Sequence, residues 1–357
     1  MNVRLEKVRE IVRANKLDGI LIKDRANTFW LSGFTGTTSI ILVTLSQALL
    51  IVDFRYLIQA KKQAAEGFTV AELKGTFISS LEYHCSMNKV RHLGFEGDVL
   101  TVGEFEQYRE KLRTPNKYIN ISSELLELRL IKDHREIYAI RQATYIGDCV
   151  FGEILSFIKE GVTELDLAAE LEYRIRKYGA KGSSFEPIIA SGINSALCHA
   201  TASAKPIHRG DAIVFDFGVK WDGYCSDMTR TVFLGEPTEQ LKSIYRIVKF
   251  AQQAVVDSLR SGMIGREADS IARKIITDAG YGNFFGHSVG HGVGIEIHEN
   301  PRLSAFSNDT LENGTILTVE PGIYIEGIGG VRIEDMGMMD GGRFVSFTTT
   351  TKELTVL

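Results

Sequence analysis

Several things that would settle the class of this chain at once are missing from it. No apolar run reaches the ~18 residues that a membrane-spanning helix needs, so no membrane partner is expected. Lysine plus arginine (41) nearly balance aspartate plus glutamate (45), for a net charge of −4. There is therefore no basic excess to hold nucleic acid or an anionic surface. The four cysteines, Cys85, Cys149, Cys198 and Cys225, are scattered and form no CxxC pair. Each reads as a small buried apolar residue. The opening MNVRLEKVREIVRANK is charged throughout and lacks the apolar core of an export signal. Reduced thiols in a cytoplasm are the expectation. A nucleotide-binding glycine fingerprint is also missing from the first half. The loop Gly33-Phe-Thr-Gly36 lacks the spacing of a phosphate loop.

What is present is an ordinary globular composition, 44% apolar and 24% charged, in 357 residues. That length is comfortable for two domains. Residues 3–15 carry apolar side chains at helical spacing, and 19–22, 39–44 and 48–53 read as strands, the last two as a hairpin. Helices near 54–66, 76–87 and 103–113 then alternate with strands near 68–73, 91–96 and 117–121. This alternation predicts an α/β domain with helices on a mixed sheet. The character changes at the charged run Lys132-Asp-His-Arg-Glu136, which places the boundary there, with domains 1–130 and 131–357.

The second domain carries a weak internal repeat. A helix over 135–159, stopped by Gly161, is followed by one from Thr163 to about Tyr178. About a hundred residues later a helix from Thr238 to about Leu259 is followed by one over 266–279. Each pair leads into strands, so two similar halves with a site between them are expected.

Both halves place acids in apolar strands. In the first, a hairpin centred between Trp221 and Asp222 would set Asp216 across from Asp227. In the second, a hairpin centred on Gly327 would set Glu320 across from Glu334. Opposed carboxylates have Cβ atoms ~4.5–5.5 Å apart and destabilise a sheet. Two such pairs make sense if cations bridge them or if one acid of each stays protonated. A lone acid in an apolar strand more often pairs with a nearby cation, and Arg230 and Arg332 are at hand. The histidines tip the balance toward metal. Of eight in the chain, His287, His291 and His298 fall within the glycine-rich stretch 286–301, GHSVGHGVGIEIHENP. Four carboxylates plus one imidazole form an oxygen-rich set that suits Mn²⁺, with Co²⁺, Fe²⁺ or catalytic Zn²⁺ allowed.

Three stretches carry a resemblance to a known family: 216–231 (DFGVKWDGYCSDMTRT), 286–301, and 319–335 (VEPGIYIEGIGGVRIED). They resemble the motifs of the pita-bread metallopeptidases, in the aminopeptidase P and Xaa-Pro dipeptidase (prolidase) branch. The first domain, with SGFTGT and VDFRY, is similar to that branch's creatinase-like domain. The resemblance implies an α/β creatinase-like domain followed by an α+β pita-bread catalytic domain with two pseudo-symmetric halves. It further implies two divalent ions held by Asp216, Asp227, His291, Glu320 and Glu334, with Glu320 also moving a proton. His199 and His298 would contact the substrate, His287 would line the pocket, and Arg332 would hold the ligands in place or meet a substrate carboxylate. The substrate implied is a peptide with proline in second position, and the assembly implied is a homodimer. One departure is Leu197-Cys-His-Ala200, where the family often has proline before and glycine after the histidine. A metal-free creatinase-like hydrolase, a methionine aminopeptidase and a non-catalytic binding protein are the alternatives. The last predicts lost ligands, whereas all five are kept.

Overall fold

The computed structural model describes residues 2–357, and it divides into two compact units, Met1–Arg129 and Leu130–Leu357.

The first unit is built on a six-stranded mixed sheet. Its strands lie in the order Thr69–Glu72, Ala48–Val52, Ser39–Thr44, Gly19–Ile22, His92–Phe95, Lys117–Asn120. The 39–44 and 48–52 strands form the expected antiparallel hairpin, with Ile41 opposite Leu50. Its core joins Leu21, Ile40, Leu42, Ile51, Leu81 and Leu93. Each helix start carries its own signal. Thr76 and Thr101 form capping boxes with Ser79 and Glu104, which satisfies backbone N–H groups that the first turn leaves over. The helix Arg25–Ser32 has no counterpart in the sequence reading. Asp24 caps it, Gly33 ends it at φ +74°, and the buried Glu96 accepts from the backbone N–H groups of Lys23 and Asp24. Eight residues give too few turns for periodicity to register. The helix expected over 54–66 splits into a 3-10 turn, Phe54–Tyr56, and a short helix, Leu57–Gln63.

The second unit has the two-fold plan that the repeat implied. In its first half the helices His134–Ile154 and Glu164–Lys177 precede strands Ile188–Ser191, Ala212–Phe217 and Met228–Phe233. In its second half Glu239–Ser258 and Gly265–Asp278 precede strands Gly290–Gly292, Glu299–Leu303, Ile316–Val319 and Asp335–Asp340. Each half has its own apolar core between helices and sheet. Ile146, Val150, Leu167, Ile213 and Phe215 belong to the first, and Ile244, Val248, Ala272, Leu317 and Val319 to the second. The chain's last strand, Thr355–Val356, runs parallel to Met228–Phe233 and closes the edge of the first sheet. Asp216 and His291 thus lie on central strands of the two sheets, while Asp227, Glu320 and Glu334 sit at the breaks between paired strands.

Candidate metal centre

The second hairpin has the register that the sequence implied. Val319 pairs with Asp335 and Gly322 with Arg332, and this bracket sets Glu320 opposite Glu334. The first hairpin does not. Asp216 pairs with Thr229, and Trp221 with Tyr224, so Asp216 and Asp227 are diagonal neighbours. The cause is the turn. Asp222 and Gly223 both have positive φ, +46° and +86°, which is the two-residue mirror-image turn that matches strand twist. The turn sits one residue later than expected, which shifts pairing by two and leaves both acids on one face. A diagonal separation also weakens the repulsion that direct opposition would cause.

His291 sits on the short Gly290–Gly292 strand, which pairs with Ile316–Val319 through Gly292 and Leu317. A side chain at either glycine would collide with the backbone of Thr318 or Asn300, so the glycines are needed for this close approach. The His291 Nδ1 lies 3.0 Å from the Gly292 carbonyl. The carbonyl only accepts, so Nδ1 carries the proton and Nε2 is left bare toward the acids. That Nε2 is 3.3 Å from a Glu320 oxygen and 3.6 Å from Asp227 Oδ2. Ligand atoms of Asp227, His291 and Glu334 all lie within 4.8 Å of one another, and all three residues are buried. Glu334 accepts from the Thr229 hydroxyl at 2.8 Å. Its other oxygen, Oε1, and Asp227 Oδ1 are buried with no hydrogen-bond partner.

Electrostatics agree with the geometry. Burial, and then the neighbouring Glu334, Asp216 and Glu320, hold the Asp227 carboxyl well above the usual carboxylate range. Burial and the same neighbourhood raise Glu334. Burial pushes Glu320 up to about 8 and pulls His291 down to about 3. Without a cation this cluster must take up protons. Bare acceptors, neutral imidazole and crowded acids fit a divalent ion, which would satisfy the orphaned oxygens and cancel the repulsion.

Asp216 lines the same cavity, but its Oδ2 accepts from Arg332 Nη2. The pairing of an acid with a nearby arginine is thus realised at this one acid. Arg230 pairs instead with Asp335, at 2.8 Å. The Arg332 guanidinium also donates to the Tyr324 hydroxyl at 2.6 Å, the Cys198 carbonyl at 3.1 Å and the Thr229 hydroxyl at 3.2 Å. Tyr324 in turn meets His287 Nε2 at 2.9 Å. Tyr324 was absent from the sequence reading. Its signal was a lone hydroxyl in the apolar run 322–325, since a buried tyrosine oxygen seeks partners. Burial, with Arg332 nearby, brings His287 down to about 4.

The cavity holds about 460 Å³ and is lined by Phe185, Ile188, Cys198, His199, Ile297 and His298, among others. His199 and His298 are exposed to it. The His298 ring stacks edge-on against His291 at 4.4 Å between centroids, and burial lowers its pKa. Arg302 lines the cavity as an exposed cation and was also missed. Cys198 is half-buried, so not every cysteine is a core residue. Among the described residues no helix is long and apolar enough to cross a membrane.

The buried acids and His291 are arranged to hold a divalent ion beside the cavity, and comparison with known proteins gives the class. The chain belongs to metallopeptidase family M24, whose model matches residues 138–340. The creatinase/prolidase N-terminal domain matches residues 4–131. The Xaa-Pro dipeptidase of Pyrococcus horikoshii is 38% identical, covering 99% of both chains. Among solved structures, an Xaa-Pro dipeptidase from Bacillus anthracis superposes with TM-score 0.96 at 43% identity, over 99% of each chain. An X-Pro aminopeptidase from Thermotoga maritima superposes with TM-score 0.90 at 39% identity, over 97% of this chain and all (100%) of that one. The expected fold, a creatinase-like α/β domain followed by a two-halved α+β catalytic domain, is the fold of this chain. As a member of this family it is a metal-dependent peptidase.

Proposed function

We propose that the chain is an Xaa-Pro exopeptidase that works with two divalent ions, Mn²⁺ being the ion its oxygen-rich donor set suits best. Asp216, Asp227, His291, Glu320 and Glu334 would hold them. The observation that carries this reading is the pair of buried, partnerless oxygens on Asp227 and Glu334 beside the bare His291 nitrogen. The relatives named Xaa-Pro dipeptidase support the substrate class.

When bound, the ions would supply Lewis-acid polarisation of the scissile carbonyl and lower the pKa of water. The rest falls to the chain. Glu320 reaches both the cluster and the cavity, which places it to carry a proton to the leaving nitrogen. That nitrogen is proline's, a tertiary amide with no N–H to hold. His298, whose pKa partial burial lowers, offers an N–H to the developing oxyanion. His199 faces the leaving group, and His287 sits at the wall on Tyr324. Arg332 already serves Asp216, Tyr324, Thr229 and the Cys198 carbonyl with four of its five N–H groups, so it orients Asp216. The exposed Arg302 is then the cation available for a substrate's terminal carboxylate, which favours dipeptides.

Hydrolysis of an Xaa-Pro dipeptide and of an Xaa-Pro-containing tripeptide, each with and without Mn²⁺, tests the reading. Mn²⁺-dependent release of proline from the dipeptide is expected, and faster than cleavage of the tripeptide. Protein shown by elemental analysis to hold metal, yet inert on both, would overturn it. The homodimer belongs to the same proposal, and light scattering should give twice the chain mass of 39.7 kDa.

A further inference from the structure

The two substrate-facing histidines, His199 and His298, lie on irregular loops, where a side chain is normally least well fixed. Each loop, however, is gathered around a buried carboxylate that touches neither the acid cluster nor the cavity. Glu164, in the first turn of its helix, is fully buried. Its Oε1 accepts from the Ser191 backbone N–H at 2.7 Å, the Ser191 hydroxyl at 2.8 Å and the Asn194 amide at 3.2 Å. Its Oε2 accepts from the Ser203 N–H at 3.1 Å and the Ser203 hydroxyl at 2.7 Å. One side chain thus ties the start of the 191–203 segment to its end, with Cys198 and His199 between. Lys205, paired with Asp211 at 2.8 Å, also donates to the Ser191 hydroxyl at 2.9 Å.

Glu299 does the same in the other half. Its Oε1 accepts from the Ile295 N–H at 3.0 Å and the Glu296 N–H at 3.2 Å. Its Oε2 pairs with the buried Lys132 at 3.0 Å. A side chain at Gly294 would overlap the carboxylate, so the turn is wrapped closely on it. The opposite side of the turn is fastened as well, since the Cys225 N–H donates to the Gly294 carbonyl at 2.8 Å. His298 follows directly and packs on His291.

We infer that Glu164 and Glu299 are paired positioning residues, each buried carboxylate setting the loop that aims one substrate-facing histidine. The inference rests on the proposed peptidase reading for its kinetic consequence, and on geometry alone for its structural one. A charged acceptor serving several N–H groups at once is stronger than neutral pairs and hard to replace. Glutamine keeps the shape but turns one acceptor into a donor that faces N–H groups or Lys132. A misaimed group about 1 Å from its place costs about 100-fold in rate.

E299Q should lower kcat/KM on an Xaa-Pro dipeptide about 10- to 100-fold, mainly in kcat, with metal content unchanged. In an H298A background E299Q should add little, because both act through one imidazole. E164Q and H199A should form the same non-additive pair. A merely structural role predicts losses that multiply, and multiplication in both cycles would overturn the inference. If E164Q does not fold, S203A removes one contact of the clamp and takes its place. The second readout needs no turnover: histidine-selective NMR of the Zn²⁺-loaded, diamagnetic protein. E299Q should shift the His298 ring signal and leave His199 in place, and E164Q the reverse. If wild-type protein proves inert on the dipeptide, the peptidase reading fails and this cross-pattern still decides. Unmoved ring signals in both variants would sink the positioning role.

Discussion

At the scale of single residues, the orphaned oxygens of Asp227 and Glu334 matter more than any satisfied group, because they are the acceptors that a cation would satisfy. In metal-free protein, Asp227 is crowded by Glu334, Asp216 and Glu320. Asparagine there replaces an acid that must otherwise hold a proton in the folded state. Asp227→Asn is expected to leave metal-free stability unchanged or raised by about 1 kcal/mol, while lowering metal stoichiometry and abolishing the thermal shift that added Mn²⁺ produces. Elemental analysis with calorimetry reads both, and unchanged stoichiometry would reject Asp227 as a ligand. Glu320→Gln separates binding from chemistry. Turnover should vanish with most metal retained, and full activity would reject the proton-carrying role. Tyr324→Phe tests the bridge between His287 and Arg332. Losing its hydroxyl leaves Nε2 of His287 and one Arg332 donor short of a partner. A stability loss of about 1–3 kcal/mol is expected, together with a fall in kcat/KM. A variant indistinguishable from wild type in urea and in assay would show the bridge to be idle.

At the scale of elements, the contrast between the two hairpins shows what a sequence can place. Gly327 sits at φ +75° in a glycine-rich run, and the register read from it is the register found. For Asp222-Gly223 the turn chemistry was visible, yet its centre lay one residue later, because both residues adopt the left-handed conformation. The face survived the error, since pairing shifts by two and side chains alternate with period two. The same two-residue periodicity is why the site acids were legible at all, as charges interrupting apolar strands. Tyr324 left only the signal of a lone hydroxyl and Arg302 left none, because what they face, His287 and the cavity, is set by the fold. Glu164 and Glu299 hid in the same way, as ordinary acids in a helix turn and a strand. Gly223→Ala should cost about 1–2 kcal/mol, because Gly223 sits at φ +86° and alanine disfavours that region. Metal stoichiometry should hold, since the register is also fixed by the flanking strand pairs. Loss of metal with only a small loss of stability would mean that the turn alone sets the acids.

For the whole molecule, the cluster ties folding, protons and metal into one linkage, and its sign can be worked out. In metal-free protein the folded-state pKa of Glu320 lies at about 8 against an ordinary 4.5, and Asp227 and Glu334 are raised as well. The folded chain therefore binds protons that the unfolded chain has released. Stability from these groups is fully present below the ordinary carboxylate range and is lost as pH rises toward 8. Metal reverses the balance, because it binds only the deprotonated acids and releases their protons. Metal-free protein should thus lose on the order of a few kcal/mol between about pH 5 and pH 8, while protein saturated with Mn²⁺ should not. The gap in Tm between the two forms should widen steadily across that window. Calorimetric Mn²⁺ titrations at pH 7, in buffers of different ionisation enthalpy, should show net proton release. A Tm gap independent of pH, with no protons released, would mean that the acids are already ionised in the empty site. The cluster would then owe its geometry to the surrounding sheets alone, and the claim that metal replaces protons would fall.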